Sequence, residues 1–206
     1  MIVDKITDKV YFSFQSTYDF KSELLEIQSI LKNHNINWRY IKGTKDYFCR
    51  DYMPVQVTEK HLVQFQFYPD YLLRPDRLEY LTKIKHVYKK NEFLNDFNIT
   101  FSNIILDGGN IIKWKDKVII TDKIFSENKN FKQSDIINEL KKILECEIII
   151  IPSYPNEETG HADGLVRFID EKTVLTYNLE IESGKIYVEW KDKFLNTFKD
   201  NKIEKI

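Results

Sequence analysis

The fold is decided by the stretch Asp107-Gly108-Gly109-Asn110-Ile111-Ile112-Lys113-Trp114-Lys115-Asp116-Lys117-Val118-Ile119-Ile120-Thr121. Its polar, glycine-rich loop leads into two β-rich runs, residues 111–114 and 118–121, joined by a short polar turn that is typical of a hairpin. A β-rich run over 148–151 follows a predicted helix, whose apolar stripe is Ile136, Ile137, Leu140, Ile143 and Leu144. The stretch and its surroundings therefore predict a loop–β–β–α–β unit.

The same order of parts recurs on either side of this unit. Asp51 precedes the β-rich run 54–57, and Asp163 precedes the run 165–169. The aspartates at 51, 107 and 163 stand 56 residues apart. Because the flanking pattern repeats with the aspartate, we predict an α/β protein whose modules surround a common centre, each contributing a carboxylate from the loop before its first strand.

Further elements follow from the same periodicities. We predict helices over residues 20–33, 75–88 and 186–198, the first with a buried stripe of Phe20, Leu24, Ile27 and Leu31. The remaining β-rich runs cover residues 11–14, 37–41, 62–67 and 174–177, and residues 202–206 resemble a closing strand. No linker divides the 206 residues, so one domain is expected.

The composition excludes several classes of protein. The 31 Lys and Arg residues balance 32 Asp and Glu residues, which gives no reason to expect nucleic acid or an anionic membrane as a partner. No apolar run approaches the roughly 20 residues that span a bilayer, and the charged start of the chain is unlike a signal peptide. We therefore expect a cytoplasmic protein, with Cys49 and Cys146 as reduced thiols.

Three polar clusters, each just before a predicted strand, are the candidate chemistry. His161 and Asp163 stand two residues apart, so an extended backbone projects both to one side. A histidine beside carboxylates suits acid/base work, and convergent carboxylates suit a guanidinium, whose five donors form a fork. The clusters are Arg50-Asp51-Tyr52-Met53-Pro54, Asp107-Gly108-Gly109-Asn110 and Thr159-Gly160-His161-Ala162-Asp163-Gly164.

Structural interpretations of the same residues stay open. An aspartate in a loop before a strand commonly caps backbone amides, and Gly108-Gly109 is also what a tight turn requires. A metal site is disfavoured, because the His-x-Asp pair lacks a second histidine or cysteine at ligand spacing. Surface or packing positions are expected for the other histidines, which are His34, His61 and His86.

Together the clusters resemble the agmatine deiminase and bacterial-type peptidylarginine deiminase family of the guanidino-modifying (pentein) superfamily. Phe48-Cys49-Arg50-Asp51-Tyr52-Met53-Pro54-Val55-Gln56 is similar to the family's aromatic-x-Arg-Asp-x-x-Pro segment. Asp107-Gly108-Gly109-Asn110-Ile111 resembles its Gly-Gly-Asn segment, and Gly160-His161-Ala162-Asp163-Gly164 resembles its Gly-His-x-Asp signature. Asn128 also fits, and the resemblance covers nearly the whole chain.

The resemblance implies a propeller of five ββαβ modules around a central active site. In this sequence we expect four of them, at about residues 1–45, 46–101, 102–152 and 153–206, with the last module of the propeller lacking. Carried over by motif, Asp51 and Asp163 would bind the substrate guanidinium and His161 would be the acid/base. Arg50, Asp107 and Asn110 would contact the substrate, lie on the rim or support the site.

The implied reaction is hydrolytic deimination of agmatine, arginine or peptidyl-arginine, without a metal or organic cofactor. A cysteine thiolate attacks the guanidinium carbon, ammonia leaves, and water releases a ureido product. The family's cysteine belongs to a glycine-rich segment of the fifth module, which this sequence lacks, and Cys49 is a remote substitute. Three alternatives stay open: a truncated deiminase, a non-catalytic guanidinium-binding module, and an incomplete propeller whose edge pairs with a second chain, for instance as a homo-oligomer.

Overall fold

Four small β-sheets and the helices between them form the computed structural model, which describes residues 1–3, 6–176, 178–179 and 184–206. The predicted α/β class is confirmed. The sheets are separate from one another, and the described residues show no closed barrel or propeller. Among these residues, no helix is both long and apolar enough to cross a membrane.

The first sheet has two parallel strands, β1 (Lys9–Ser13) and β2 (Asn37–Ile41). Helices α1 (Ser16–Asp19) and α2 (Lys21–Asn33) run between them. The predicted helix over 20–33 is therefore confirmed, but its predicted buried stripe is partly wrong. Leu24 is buried, whereas Phe20 and Ile27 are exposed, because a sheet of two strands is too narrow to cover the whole apolar face of the helix.

The other three sheets share one topology: an antiparallel strand pair, then helix, then a third strand parallel to the second. The second sheet follows α3 (Cys49–Tyr52) and comprises β3 (Val55–Gln56), β4 (His61–Gln66), α4 (Ile84–Lys90) and β5 (Asn98–Ile105). The third comprises β6 (Ile112–Trp114), β7 (Lys117–Thr121), α5 (Lys123–Glu127), α6 (Gln133–Leu144) and β8 (Glu147–Ile151). The fourth comprises β9 (Val166–Phe168), β10 (Thr173–Thr176), α7 (Lys185–Asp200) and β11 (Glu204–Lys205).

Helix packing against the later sheets is much tighter than against the first. In α6 the predicted stripe is buried at Ile136, Leu140, Ile143 and Leu144, which share one apolar cluster with Val118 and Ile120 of β7. In α7 a second stripe is buried, formed by Trp190, Phe194 and Phe198. Burial of such side chains stabilises the fold by about 1.5 to 3 kcal/mol each. These two helices therefore anchor the third and fourth sheets.

One predicted helix is wrong in length, and one strand is missed. The helix predicted over residues 75–88 is wrong in length, since the chain forms a 3-10 turn, Leu78–Tyr80, and then α4. The backbone is extended at Leu81 and Lys83, and Leu78 is exposed, so no buried face holds the first helical turns together. β5 is missed by the sequence analysis, because Phe101 lies on its exposed face and blurs the alternation. The strand predicted over 174–177 is observed as Thr173–Thr176, and Tyr177 lies outside the described residues.

Candidate active site

Three loops meet at the point where β3, β6 and β9 begin. Helix α3 presents Asp51, whose Oδ1 accepts a hydrogen bond from the amide of Gly109 at 2.7 Å. The carbonyl of Gly109 in turn accepts the amide of Asp163 at 3.1 Å. The backbone of one glycine therefore ties together the three polar clusters that the sequence marks. The amide contact also means that Asp51 caps a backbone amide, as the structural interpretation expects.

Two adjacent glycines make this close meeting of loops feasible. A Cβ at Gly108 would lie 1.8 Å from the carbonyl oxygen of Arg50. A Cβ at Gly109 would lie 2.4 Å from His161 Nδ1 and 2.7 Å from Asp51 Oδ1. Neither position has room for a side chain, so the glycines are required by the approach of the neighbouring loops.

His161 lies between two carboxylates, one buried (Asp107) and one mostly buried (Asp51). Its Nε2 is 3.0 Å from Asp107 Oδ2, and its Nδ1 is 3.9 Å from Asp51 Oδ1. The exposed fractions of the three side chains are 11% for His161, 2% for Asp107 and 14% for Asp51. We call these three residues the floor of the site. The structure thus brings together one residue from each sequence cluster, out of contact with most of the solvent.

The surroundings of the floor raise the pKa values of Asp51 and His161. Burial raises the pKa of Asp51 to about 6, with the His161 charge opposing the shift and the Asp107 charge adding to it. Burial lowers the pKa of His161, but the hydrogen bond to Asp107 and the charges of Asp51 and Asp107 outweigh it, so the net pKa is raised. Both shifts favour holding a proton near neutral pH, which suits proton transfer.

Charged residues on the solvent side form what we call the rim. Asp163 lies here, with its Oδ2 3.5 Å from Arg50 Nε, and both side chains are about two-fifths exposed, at 38% and 41%. Arg50 also donates from Nη2 to the carbonyl of Ile111 at 2.8 Å. In the loop before His161, Glu158 pairs with Arg74 and, at 2.8 Å, with Arg77. Such exposed pairs contribute little to stability.

Asn110, predicted to support the site or contact substrate, is buried behind the floor. Its Oδ1 accepts the amide of Thr121 at 2.9 Å, and the Thr121 hydroxyl donates to the carbonyl of Gly160 at 2.6 Å. Asn110 therefore fixes its own loop to β7, and Thr121 in turn fixes β7 to the loop that carries His161. Asn128 is a clamp of a similar kind, since its amide group bonds both the N–H and the C=O of Ile105.

Two residues of the site are missed by the sequence analysis. Tyr71 donates from its hydroxyl to Asp107 Oδ2 at 3.1 Å, and its ring meets the ring of His161 edge-on. Lys123 donates to Asp70 Oδ1 at 2.8 Å and to the carbonyl of Glu158 at 3.0 Å, above the Tyr71 ring. No motif surrounds either residue, so the sequence carries no signal of these contacts.

Two cavities adjoin the site through Arg50. One, of about 370 Å³, lies between β6 and β9, and the other, of about 840 Å³, lies between β1 and β3. Because Arg50 lines both and pairs with Asp163, a cationic ligand that reaches Asp163 has to share this carboxylate with the Arg50 guanidinium.

Both cysteines are free thiols in apolar surroundings. Cys49 is buried beside Tyr52, its Sγ 3.7 Å from the carbonyl of Tyr47, and burial raises its pKa to about 11. Burial likewise raises the pKa of Cys146 to about 11, at the apolar cluster under α6. Neither environment favours a reactive thiolate. Among the described residues, no three or more His, Cys, Asp or Glu side chains are grouped so as to hold a metal ion.

Comparison with known proteins identifies the family. A family model described as Porphyromonas-type peptidyl-arginine deiminase matches residues 14–205. The chain belongs to this family. The resemblance that the three sequence motifs indicate is therefore confirmed. A search of curated proteins gave no match.

Solved structures of deiminases share the fold. The agmatine deiminase of C. jejuni, in a cysteine-to-serine variant with substrate bound, matches with a TM-score of 0.70 and 18% identity, over 97% of this chain and 70% of that chain. A protein assigned as a peptidyl-arginine deiminase matches with a TM-score of 0.72 and 20% identity, over 97% of this chain and 72% of that chain. The agmatine deiminase of Enterococcus faecalis matches with a TM-score of 0.65 and 14% identity, over 96% of this chain and 67% of that chain. This chain thus spans about seven-tenths of the length of these relatives.

Proposed function

We propose that this chain binds a guanidinium group between Asp51 and Asp163, with His161 as the acid/base, for deimination of agmatine, arginine or peptidyl-arginine. The observation that carries the proposal is the floor, where a histidine lies between the buried carboxylate of Asp107 and the mostly buried carboxylate of Asp51. Membership of a deiminase family supports the guanidino substrate class. The C. jejuni and E. faecalis relatives are agmatine deiminases, one of them with substrate bound.

The charges of the site suit a planar cation. Asp51 Oδ1 is occupied by the Gly109 amide, which fixes the carboxylate and leaves Oδ2 to accept from a ligand. Asp163 already pairs with one guanidinium, that of Arg50, which is an internal example of the contact proposed for the substrate. Hydrogen bonds between a guanidinium and carboxylates are about twice as strong as neutral ones.

His161 would transfer the protons of the reaction. In the first step a thiolate attacks the guanidinium carbon, the C–N bond breaks, and the imidazolium gives its proton to the departing ammonia. In the second step neutral His161 takes a proton from water as the oxygen attacks the same carbon. The C–S bond then breaks while the remaining hydroxyl proton passes through solvent to the released ammonia, which gives the ureido product and ammonium and restores the thiolate. The raised pKa of His161 favours the proton-donating form needed first.

The attacking thiolate would not come from either cysteine of this chain. Cys49 is buried and Cys146 is half-buried, and burial raises the pKa of each thiol to about 11. This observation favours a second candidate function, in which the chain alone is a non-catalytic guanidinium-binding module. A deiminating form would then need a cysteine from elsewhere.

We also propose that the sheets are blades of a pentein-type propeller around the site. Three sheets repeat one strand order, and each begins just after a loop that contributes to the site. The modules would lie close to residues 46–101, 102–152 and 153–206, with 1–45 holding the two-stranded sheet.

The test is a ureido-product assay with agmatine, free arginine and a short arginine peptide. It is run on this chain and on any longer product of the same reading frame, with binding measured in parallel by calorimetry. We expect guanidinium binding by both and ureido product from the longer form. If the 206-residue chain makes product and Cys49→Ser abolishes it, the assignment of the nucleophile is wrong. If neither form binds or reacts, the proposed function is wrong.

A further inference from the structure

We propose that Tyr71 is a positioning residue that sets the basicity of His161 through Asp107. The Tyr71 hydroxyl donates to Asp107 Oδ2 at 3.1 Å, and the same oxygen lies 3.0 Å from His161 Nε2. The inference rests on the proposed function in one respect, since it takes His161 as the acid/base. The hydrogen bonds that link Tyr71, Asp107 and His161 are present without any substrate.

The Tyr71 ring is held in place from more than one direction. It meets the His161 ring edge-on, with ring centroids 5.9 Å apart and an interplanar angle of 74°. The Lys123 ammonium lies 5.3 Å from the Tyr71 ring centroid and bonds both Asp70, next to Tyr71 in the chain, and the carbonyl of Glu158. Lys123 thus joins the turn that carries Tyr71 to the loop that carries His161.

The carboxylate of Asp107 concentrates its hydrogen bonds on one oxygen. Oδ2 faces both Tyr71 and His161, whereas Oδ1 is buried without a hydrogen-bond partner among the described residues. Since Asp107 is almost fully buried, these two donors are its compensation for lost hydration. Removal of the Tyr71 hydroxyl would leave more of the negative charge to His161, which stabilises the imidazolium and raises its pKa.

Tyr71 itself stays protonated. Burial raises the pKa of its phenol, and the charges of Asp107 and Asp51 raise it further. The hydroxyl therefore donates to Asp107 throughout the pH range in which His161 titrates. This excludes proton transfer by Tyr71 in that range and leaves a role in orienting and tuning its neighbours.

Other charges around His161 are unaffected by a change at Tyr71. The carboxylates that act on the imidazole are those of Asp51, Asp107, Asp163 and Glu157. Replacement of Tyr71 by phenylalanine keeps the ring and removes the donor to Asp107 alone. A change in the pKa of His161 can then be assigned to the hydrogen bond rather than to packing.

The experiment is an NMR titration of His161 in the full 206-residue chain, comparing wild type with Tyr71→Phe. The chain has four histidines, and His161→Gln assigns the resonance. We expect Tyr71→Phe to raise the pKa of His161 by about 0.5 unit, the size expected from one lost hydrogen bond. The matched control is Tyr88→Phe, which removes a buried hydroxyl that donates to Gln64 at 3.2 Å, away from the floor, and should cause no shift.

An unchanged or lowered pKa of His161 in Tyr71→Phe overturns the inference. A second measurement needs no variant at position 71. In wild type, ¹⁵N shifts should show the neutral ring protonated at Nε2, because that nitrogen faces Asp107, and protonation at Nδ1 would contradict the chain of hydrogen bonds.

The experiments distinguish failure of the proposed function from failure of the positioning role of Tyr71. The NMR readouts require no turnover and no ligand. A raised pKa in Tyr71→Phe, together with no guanidinium binding by wild type, supports the positioning role and overturns the proposed function. Guanidinium binding with an unchanged pKa supports the proposed function and overturns the positioning role.

Discussion

The floor and the rim of the candidate active site contain the same kinds of charged residue in contrasting surroundings. On the floor, Asp107 is buried, Asp51 and His161 are mostly buried, and the pKa values of Asp51 and His161 are raised. On the rim, Asp163 and Glu158 are partly exposed and paired with arginines. The comparison teaches that access to water, rather than residue type, separates groups that can exchange a proton from groups that only attract a cation.

The largest expected effect comes from breaking the packing of the floor. Gly108→Ala places a Cβ 1.8 Å from the Arg50 carbonyl oxygen, so α3 and the neighbouring loop must separate. We expect a loss of about 3 kcal/mol or more in the free energy of unfolding, measured by urea denaturation. The matched control is Gly164→Ala, since a Cβ there meets nothing within 4 Å. Equal stability of the two variants would contradict the described meeting of the loops.

The next largest effect is expected on the free energy of unfolding of Asp51→Asn, because the negative charge of Asp51 is unfavourable in its mostly buried position. Burial raises its pKa from 3.8 to about 6, so the folded state holds the proton more tightly than the unfolded state. The stabilising contribution is complete below about pH 4 and is lost as the pH rises through 6. Asp51→Asn should therefore be more stable than wild type by about 1 to 3 kcal/mol at pH 7, and equal to it near pH 4.

Thermal or urea unfolding at both pH values checks this. The expectation lies below the full value of the shift, because Asp51→Asn also removes a negative charge that stabilises the His161 imidazolium. A variant that is less stable than wild type at pH 7 would show that Asp51 is stabilised on the floor, contrary to the account.

A smaller effect is expected at the rim, on binding. Asp163→Asn removes one charged acceptor for a guanidinium, and because Asp163 is 38% exposed, the loss should be about 1 to 2 kcal/mol in binding free energy. Calorimetry with agmatine and arginine measures it, and Asp170→Asn, an exposed aspartate in the β9–β10 turn, is the matched control. Unchanged affinity in Asp163→Asn would remove this residue from the proposed site.

The smallest effect is expected for Glu158. Glu158→Gln breaks pairs with Arg74 and Arg77 that are open to solvent, so the free energy of unfolding should fall by at most about 1 kcal/mol and by less in high salt. The control is Glu189→Gln on α7, whose pair with Lys185 is even more exposed. A loss of several kcal/mol would mean that the rim is as tightly coupled as the floor.

Local patterns predict much of the fold. Helix α6 buries four of the five residues of its predicted apolar stripe, helix α7 buries a similar stripe, and the β6–β7 and β9–β10 hairpins form across short polar turns. The failures depend on tertiary context. Residues 75–88 have helical periodicity but meet no surface along their first half, and β5 owes its strand structure to its parallel pairing with β4. Local helix and strand propensities contain no information about which tertiary surfaces a segment meets or which strand it pairs with.

The site is only partly predicted, because tertiary context also decides which residues join it. Asp51, Asp107 and His161 are marked by polar clusters before strands, and the structure brings them into contact. Tyr71 and Lys123 come from segments without any motif, and their partners lie 36 and 53 residues away in the chain. Only the folded arrangement of the loops reveals that they belong to the site.

Guanidinium binding by the floor and rim together is the central claim, and calorimetric titration of the 206-residue chain with agmatine, arginine and a short arginine peptide tests it most directly. The comparison variant is Asp51→Asn/Asp163→Asn, which keeps the shape of both side chains and removes both charges. The account predicts that wild type binds at least one of the three ligands and that the double variant binds none. Binding of equal strength by both proteins, or binding by neither, would contradict it.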